Sequence, residues 1–131
     1  MSEKSVGVLV AVKEFSERKE IRKILEENIP DKPVMYDAYR EEEIEEICHR
    51  ENILLAVIDT EIADSGAIDA IKHMYVRNEK SKVIVLTDLQ RISIYEQVKL
   101  SNVLNYLIRP YKEAELEEEL EYAVERIKET P

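Results

Sequence analysis

The stretch ILLAVIDTEIADSG, residues 53–66, contains the feature that decides the fold. Six apolar residues run without interruption from Ile53 to Ile58 and are followed by a carboxylate, Asp59. A continuous apolar run of this length is typical of a strand that is covered on both faces. A carboxylate at the end of such a strand needs a partner or a ligand, so Asp59 is the first candidate for a functional residue.

Strand-like and helix-like stretches alternate along the chain on either side of this run. Apolar, β-branched runs predict strands, and apolar residues that recur every three or four positions predict helices. Ser16 is the predicted N-cap of the first helix. The alternation predicts an α/β fold, a doubly wound, five-stranded parallel sheet with helices on both faces, in one domain over residues 1–131. The predicted strands are residues 6–12, 33–39, 53–59, 82–87 and 103–108, and the predicted helices are residues 16–28, 41–51, 67–75, 92–101 and 113–129.

The composition excludes several classes of function. The 131 residues include 19 Lys and Arg against 29 Asp and Glu, and this net charge of −10 disfavours binding to nucleic acid or to an anionic membrane. No apolar stretch is long enough to span a membrane, and the N-terminal apolar run is too short for a secretory signal. The single cysteine, Cys48, excludes an internal disulfide, and we expect a cytoplasmic protein. Two glycines are too few for a glycine-rich phosphate loop.

The candidate functional residues are those at the carboxyl ends of the predicted strands. In open α/β sheets, ligands bind at these ends, near the point where the strand order reverses. The residues are Lys13 and Glu14 after the first strand, Asp59 at the end of the third, Thr87 and Asp88 at the end of the fourth, and Arg109 and Pro110 at the end of the fifth.

With these residues in place, the chain resembles the receiver domain of response regulators, and the resemblance covers essentially all 131 residues. Asp59 matches the family's phospho-accepting aspartate, and Thr87 matches the Ser or Thr that ends the fourth strand. Arg109 and Pro110 stand where the family has a Lys-Pro pair, and Tyr106 matches the aromatic switch residue of the fifth strand. The resemblance implies phosphorelay signalling in a two-component system, a Mg²⁺ cofactor, and a histidine kinase or downstream effector as protein partner.

The phosphorylation pocket departs from the family pattern. The family's acidic pair, which helps to hold Mg²⁺, reads Lys13-Glu14, and the Lys before Pro has become Arg109. Glu14 and Asp59 are the remaining candidate metal ligands. A Lys about 4 Å from the metal would oppose Mg²⁺ binding by several kcal/mol at an effective dielectric of about 20. We therefore expect a weak Mg²⁺ site or none, and the resemblance is to an atypical receiver or pseudo-receiver.

Two interpretations stay open for each of three pocket residues. Asp59 is either a phosphoacceptor or a carboxylate in a static ion pair with Lys13 or Arg109. Thr87 either takes part in the pocket or caps a loop turn. Tyr106 is either the switch residue or a half-buried strand aromatic.

Three functions compete. The first is a receiver phosphorylated on Asp59 by a histidine kinase, and the second is a phosphate-independent pseudo-receiver that acts as a protein-interaction or dimerisation module. The third, a small enzyme or a flavodoxin-like carrier, is disfavoured because the loop after the first strand is charged and lacks glycine. His49 and His73 lie on charged helix faces, where we expect both at the surface and away from the strand ends, so we expect no enzyme activity.

The predicted contact surface comprises the fourth helix, the last strand and the fifth helix, residues 92–128. Ile92, Ile94, Tyr95 and Val98 are more apolar positions than one inward face of a short helix needs, so some of them should be exposed. We expect a second copy or another protein to bind there; in the alternative, Ile92 and Tyr95 only fold back on the ends of their own helix. If the surface is used, Tyr95→Glu should abolish binding without loss of stability, and if Tyr95 belongs to the core, the same change should unfold the protein.

Overall fold

The computed structural model describes residues 7–30, 32–63 and 65–128. Within these ranges strands and helices alternate as the sequence predicts. The predicted first strand and last helix also include Val6 and Glu129, which lie outside the described residues. The elements are β1 (Gly7–Ala11), α1 (Phe15–Asn28), β2 (Val34–Asp37), α2 (Glu41–Arg50), β3 (Leu55–Asp59), α3 (Ser65–Arg77), β4 (Lys82–Thr87), α4 (Ile92–Glu96), β5 (Val103–Ile108) and α5 (Glu113–Lys128).

The five strands form one parallel sheet in the order β2-β1-β3-β4-β5, which confirms the predicted fold class. Every residue of β1 and β3 is buried, because each of these strands has a neighbour on both sides and helices over both faces. The edge strands β2 and β5 are partly exposed. The strand order reverses at β1, which pairs with β2 on one side and with β3 on the other. A ligand site is therefore expected at the carboxyl ends of β1 and β3.

Two hydrophobic cores lie on opposite faces of the sheet, because successive strand residues point to opposite faces. In one core, Val10 of β1 packs with Leu25 of α1 and Leu120 of α5. In the other core, Leu9 of β1 packs with Ile71 of α3 and with residues of α2. None of the helices in the described ranges is long and apolar enough to cross a bilayer.

The fourth helix is shorter than predicted, and its tyrosine belongs to the core. α4 ends at Glu96 rather than at Ser101, and Tyr95 is only 1% exposed. The ring of Tyr95 packs edge-on against Tyr106, with 6.1 Å between ring centroids, and its hydroxyl donates to the Ala63 carbonyl oxygen at 3.4 Å. A helix of five residues directs few side chains inward, and Tyr95 is the one that is buried. The prediction that Tyr95 is exposed and replaceable without loss of stability is therefore wrong.

The other apolar residues of this segment divide between the interior and the surface. Ile92 and Val98 are half-buried, and Val98 packs against the core under α2 and α3. Ile94 is 42% exposed. The surface formed by residues 92–128 thus keeps Ile94 and, on α5, Tyr122 as exposed large apolar side chains.

Helix α1 begins one residue earlier than predicted, and Glu14 rather than Ser16 is its N-cap. The Glu14 carboxylate accepts the backbone N–H of Glu17 at 2.9 Å and the Ser16 hydroxyl at 2.6 Å. An acid at this position also faces the positive end of the helix dipole. The cap places the first turn of α1, with Glu17, directly beside the carboxyl end of β1.

Candidate functional site

A cleft of about 590 Å³ opens at the carboxyl ends of β1, β3 and β5. It lies where the strand order reverses, as expected for an open parallel sheet. Four of the residues that line it were candidates from the sequence, and two were not. The lining residues are Lys13, Glu14, Glu17, Asp59, Glu61 and Arg109.

The carboxylate of Asp59 is buried and fully hydrogen-bonded, with 1% of the residue exposed. Its Oδ1 accepts the backbone N–H of Glu61 at 2.9 Å and Nη1 of Arg109 at 3.1 Å. Its Oδ2 accepts the backbone N–H of Lys13 at 3.1 Å and Nη2 of Arg109 at 3.1 Å. A carboxylate has about four acceptor positions, so these four donors leave no free lone pair on Asp59.

Arg109 is fixed from its other side by a second carboxylate. Its Nη2 also donates to Glu17 at 2.7 Å, and its Nη1 lies 3.8 Å from a carboxylate oxygen of Glu61. The hydroxyl of Tyr111 donates to the same Glu17. Burial alone would lower the pKa of Arg109, but its hydrogen bonds to Glu17 and Asp59 and the charges of both carboxylates raise it. The guanidinium is therefore a permanent cation between two acids.

The ion pair predicted for Asp59 is present, and its partner is Arg109. Lys13, the other predicted partner, contacts Asp59 through its backbone N–H, while its side chain is exposed. Glu14, a predicted metal ligand, uses Oε1 to cap α1. The hydrogen bond from Ser16, followed by the one from the backbone of Glu17, lowers the pKa of Glu14, so the cap is a charged one.

The two residues at the carboxyl end of β4, Thr87 and Asp88, are not among the residues that line the cleft. Thr87 is fully buried, and its hydroxyl accepts a hydrogen bond from the Thr60 hydroxyl at 3.1 Å. Asp88 accepts the backbone N–H groups of Gln90 and Arg91 and pairs with the Arg91 guanidinium, so it holds the turn before α4. A pocket role for Thr87 stays a prediction.

Tyr106 is half-buried on the edge strand β5, with the ring of Tyr95 against it. Burial, with a smaller contribution from the charge of Glu96, raises the pKa of its phenol. The position fits both interpretations of Tyr106, and its role as a switch stays a prediction.

The residues of the cleft do not fit Mg²⁺. The lining carries two cationic and four anionic side chains, so its formal charge of −2 would by itself attract a cation. Mg²⁺ needs carboxylate oxygens that are free to coordinate it. Both oxygens of Asp59 are occupied, and the cation beside them is Arg109. Within the described ranges, no group of three or more ligating side chains is placed to hold a metal ion.

Glu17, Glu61 and Tyr111 are the site residues that the sequence did not identify. Glu17 lies in the first turn after β1, and Tyr111 lies two residues after Arg109, so both follow a strand end. Their position was therefore a usable signal. Sequence position does not show, however, which acidic side chain pairs with Arg109, because several acidic residues lie close to the strand ends.

No protein-family model matches the chain, and no curated protein matches it either. Solved structures match its fold over nearly the whole length. The REC domain of AraT, a response regulator from Geobacillus stearothermophilus, superposes with a TM-score of 0.74 at 21% identity and covers 95% of this chain and 97% of that chain. A CheY-like response regulator receiver domain protein from Methanospirillum hungatei JF-1 gives a TM-score of 0.69 at 15% identity, over 95% of this chain and 98% of that chain.

A third similar structure shows why the fold alone does not assign an activity. It is described as an adenylate cyclase from Rhodopirellula baltica, and it gives a TM-score of 0.71 at 12% identity, over 95% of this chain and 90% of that chain. Identities this low establish a shared fold. The chain therefore has the receiver fold of response regulators.

Proposed function

We propose that the protein is a receiver-like module of two-component signal transduction that works without accepting a phosphoryl group. In this proposal it is a pseudo-receiver of the cytoplasm, it is not an enzyme, and it acts by binding another protein. The observation that carries the proposal is the saturation of Asp59 by four donors, two of them from Arg109.

The ion pair opposes phosphorylation in two ways. To attack a phosphoryl donor, an oxygen of Asp59 must first leave Arg109, and the divalent cation that such a transfer needs must displace the same guanidinium. Separating a buried pair costs about 3–5 kcal/mol. A barrier raised by that amount slows the reaction roughly 10²- to 10⁴-fold.

The proposed partner is a histidine kinase, a downstream effector or a second copy of the chain. The surface formed by residues 92–128 supports protein binding through the exposed side chains of Ile94 and Tyr122. Tyr95 does not contribute to this surface, because it is buried.

The test is incubation with acetyl phosphate and Mg²⁺, followed by intact-mass measurement. We expect the wild-type chain to gain no phosphoryl group. Asp59→Asn is the control, since any gain at this site must vanish in that variant. A phosphoryl adduct on the wild-type chain that is absent from Asp59→Asn would overturn the proposal in favour of a phosphorylated receiver.

Mg²⁺ titration of two variants separates the contributions of the two cations. We expect a wild-type Kd above about 1 mM. Lys13→Asp alone should change it little, because the contact from Lys13 to Asp59 is made by the backbone N–H and the Lys13 side chain is exposed to solvent. The double variant Lys13→Asp, Arg109→Lys should bind more tightly, since the bidentate donor is gone. Tight binding by the wild-type chain would contradict the proposed role of Arg109.

Size-exclusion chromatography tests the contact surface. If residues 92–128 mediate self-association, Ile94→Glu should shift the protein towards monomer. Val76→Glu on α3 is a matched control, because Val76 is also exposed but lies outside this surface. Equal effects of both variants, or none from Ile94→Glu in a protein that dimerises, would place the contact elsewhere.

A further inference from the structure

The chain contains two histidines, and the structure brings them together. His49 lies near the end of α2 and His73 lies in α3, and their ring centroids are 4.2 Å apart with an interplanar angle of 51°. Both side chains are exposed. The pair is remote in sequence, on two different helices, and takes no part in the cleft.

Both helices place an acid one turn before the histidine. Glu45 precedes His49 by four residues, and Asp69 precedes His73 by four residues. Residues four apart lie on the same face of a helix, so each helix presents a carboxylate and an imidazole in line.

Contacts on either side of these acids show that the face of α2 with Glu45 and His49 lies against the face of α3 with Asp69 and His73. At one end, a Cβ added to Gly66 of α3 would overlap the Glu41 carboxylate of α2. At the other end, Arg77 of α3 donates to the His49 carbonyl oxygen at 2.7 Å, beyond the histidine contact. The helices therefore run side by side in the same direction. Glu45 and Asp69 occupy the turn between these contacts.

We propose that His49 and His73 form a binding site for a divalent transition-metal ion, represented here by Zn²⁺. The bound ion would link α2 to α3. Neutral imidazole is a good ligand for Zn²⁺, Cu²⁺ and Ni²⁺, and a poor one for Mg²⁺. Carboxylate oxygens of Glu45 and Asp69 are of the type that completes such a site. This site is independent of the cleft and of the function proposed for it.

The ring separation suits this role after a small movement. With Zn–N bonds of about 2.0–2.1 Å, two imidazoles on one ion hold their centroids about 4.5–5.2 Å apart. The observed 4.2 Å is shorter by less than about 1 Å, and exposed side chains can open by that amount by rotation. As they stand, the described residues bring no third ligating side chain to the pair, so the carboxylates must also turn inward or leave positions to water.

The charges around the pair favour a cation on balance. Helix α2 carries five glutamates and one arginine, while Lys72 and Arg77 on α3 oppose them. Removing Arg77 would therefore be expected to tighten metal binding rather than weaken it.

Isothermal titration of the metal-free chain with ZnCl₂ tests the proposal. We expect one ion per chain, and an affinity at least about ten-fold weaker in His49→Gln and in His73→Gln. MgCl₂ should give no heat at this site. Circular dichroism verifies that the variants are folded, and bound Zn²⁺ should raise the Tm of the wild-type chain alone.

Two neighbouring glutamates of α2 supply a matched pair of controls. Glu45→Gln should weaken Zn²⁺ binding, whereas Glu46→Gln should not, because Glu46 pairs with Arg50 instead. Unchanged binding in both histidine variants would overturn the proposal, and so would one ion per two chains, which would place the metal between molecules.

Discussion

At the scale of the residue, the decisive substitution is an arginine at the end of β5. A lysine is a point charge on a flexible stem, whereas a guanidinium presents two parallel N–H donors that match the two oxygens of a carboxylate. Arg109 uses that fork on Asp59 and still has a hydrogen bond left for Glu17. The Arg109 side chain thus places a positive charge beside Asp59 and also donates a hydrogen bond to each of its two carboxylate oxygens.

Arg109→Ala should destabilise the protein by about 3–5 kcal/mol, because it leaves the buried carboxylate of Asp59 without its countercharge. The free energy of unfolding by urea measures the loss. Arg50→Ala is the control, since Arg50 makes exposed ion pairs and its loss should matter little. Adding Asp59→Asn to Arg109→Ala should restore part of the stability, and a double variant no better than the single one would speak against the buried charge as the cause.

The sequence predicted those features of the site that follow from the order and direction of the strands. Strand ends of a parallel sheet meet at one edge, so Asp59 and Arg109 could be placed together from the apolar runs alone. The actual hydrogen bonds depend on side-chain direction, which the pattern does not contain. From the sequence, Lys13 and Arg109 were therefore equally good candidates for the ion-pair partner of Asp59. In the structure the side chain of Lys13 is exposed to solvent.

At the scale of the element, strands were predicted more closely than helices. Buried strands are continuous apolar runs with clear ends. Each of the five predicted ranges contains the observed strand and exceeds it by at most two residues at either end. The limits of α4 were wrong because a short helix has few turns over which a period can be recognised. The buried position of Tyr95 involves contacts with Tyr106 and Ala63, which the local sequence pattern of this helix does not contain.

Tyr95→Glu should destabilise the protein by about 3–5 kcal/mol or more, because it places a charge where an aromatic ring fills the core. The neighbouring Ile94→Glu, on the exposed side of the same helix, should change stability by no more than about 0.5 kcal/mol. Tyr95→Phe should cost about 0.5–1.5 kcal/mol for the hydrogen bond to Ala63. Thermal or urea unfolding of the three variants measures these changes in stability. Equal losses in Tyr95→Glu and Ile94→Glu would contradict the buried position of Tyr95.

Helix α2 buries a thiol whose ionisation is coupled to folding. Burial, with a smaller effect from the Glu45 carboxylate, raises the pKa of Cys48 to about 12. Between about pH 8.5 and that value the unfolded chain has lost the thiol proton and the folded chain has kept it, so stability should fall as pH rises, by about 1.4 kcal/mol per unit from this group. Unfolding free energies across this range should show a shallower slope in Cys48→Ala, and parallel slopes would refute the coupling.

At the scale of the whole molecule, the negative charge is concentrated on two helices. α2 carries five glutamates and one arginine, and α5 carries seven glutamates with one arginine and one lysine. They hold nearly all of the net charge of −10 while lying on opposite faces of the sheet. Because both helices are negative, repulsion within each helix, and more weakly between the two faces, opposes folding.

Raising the ionic strength from about 0.01 M to 0.15 M shortens the Debye length from about 30 Å to 8 Å and should raise the Tm by about 2–4 °C. Glu118→Lys, an exposed change on α5, removes two units of negative charge and should reduce this salt effect. Differential scanning calorimetry measures both. A Tm that falls with added salt would mean that surface ion pairs outweigh the repulsion.

The bond between Asp59 and Arg109 spans 50 residues, and this distance has a consequence for synthesis. A ribosome that adds about 5–20 residues per second delivers the guanidinium roughly 3–10 s after the carboxylate. During that interval β3 is complete, but burying its terminal acid against β1 has no countercharge to offset the loss of hydration. We therefore expect β3 to remain uncovered until β5 has been synthesised, and the incomplete chain to expose an apolar strand that a chaperone can bind.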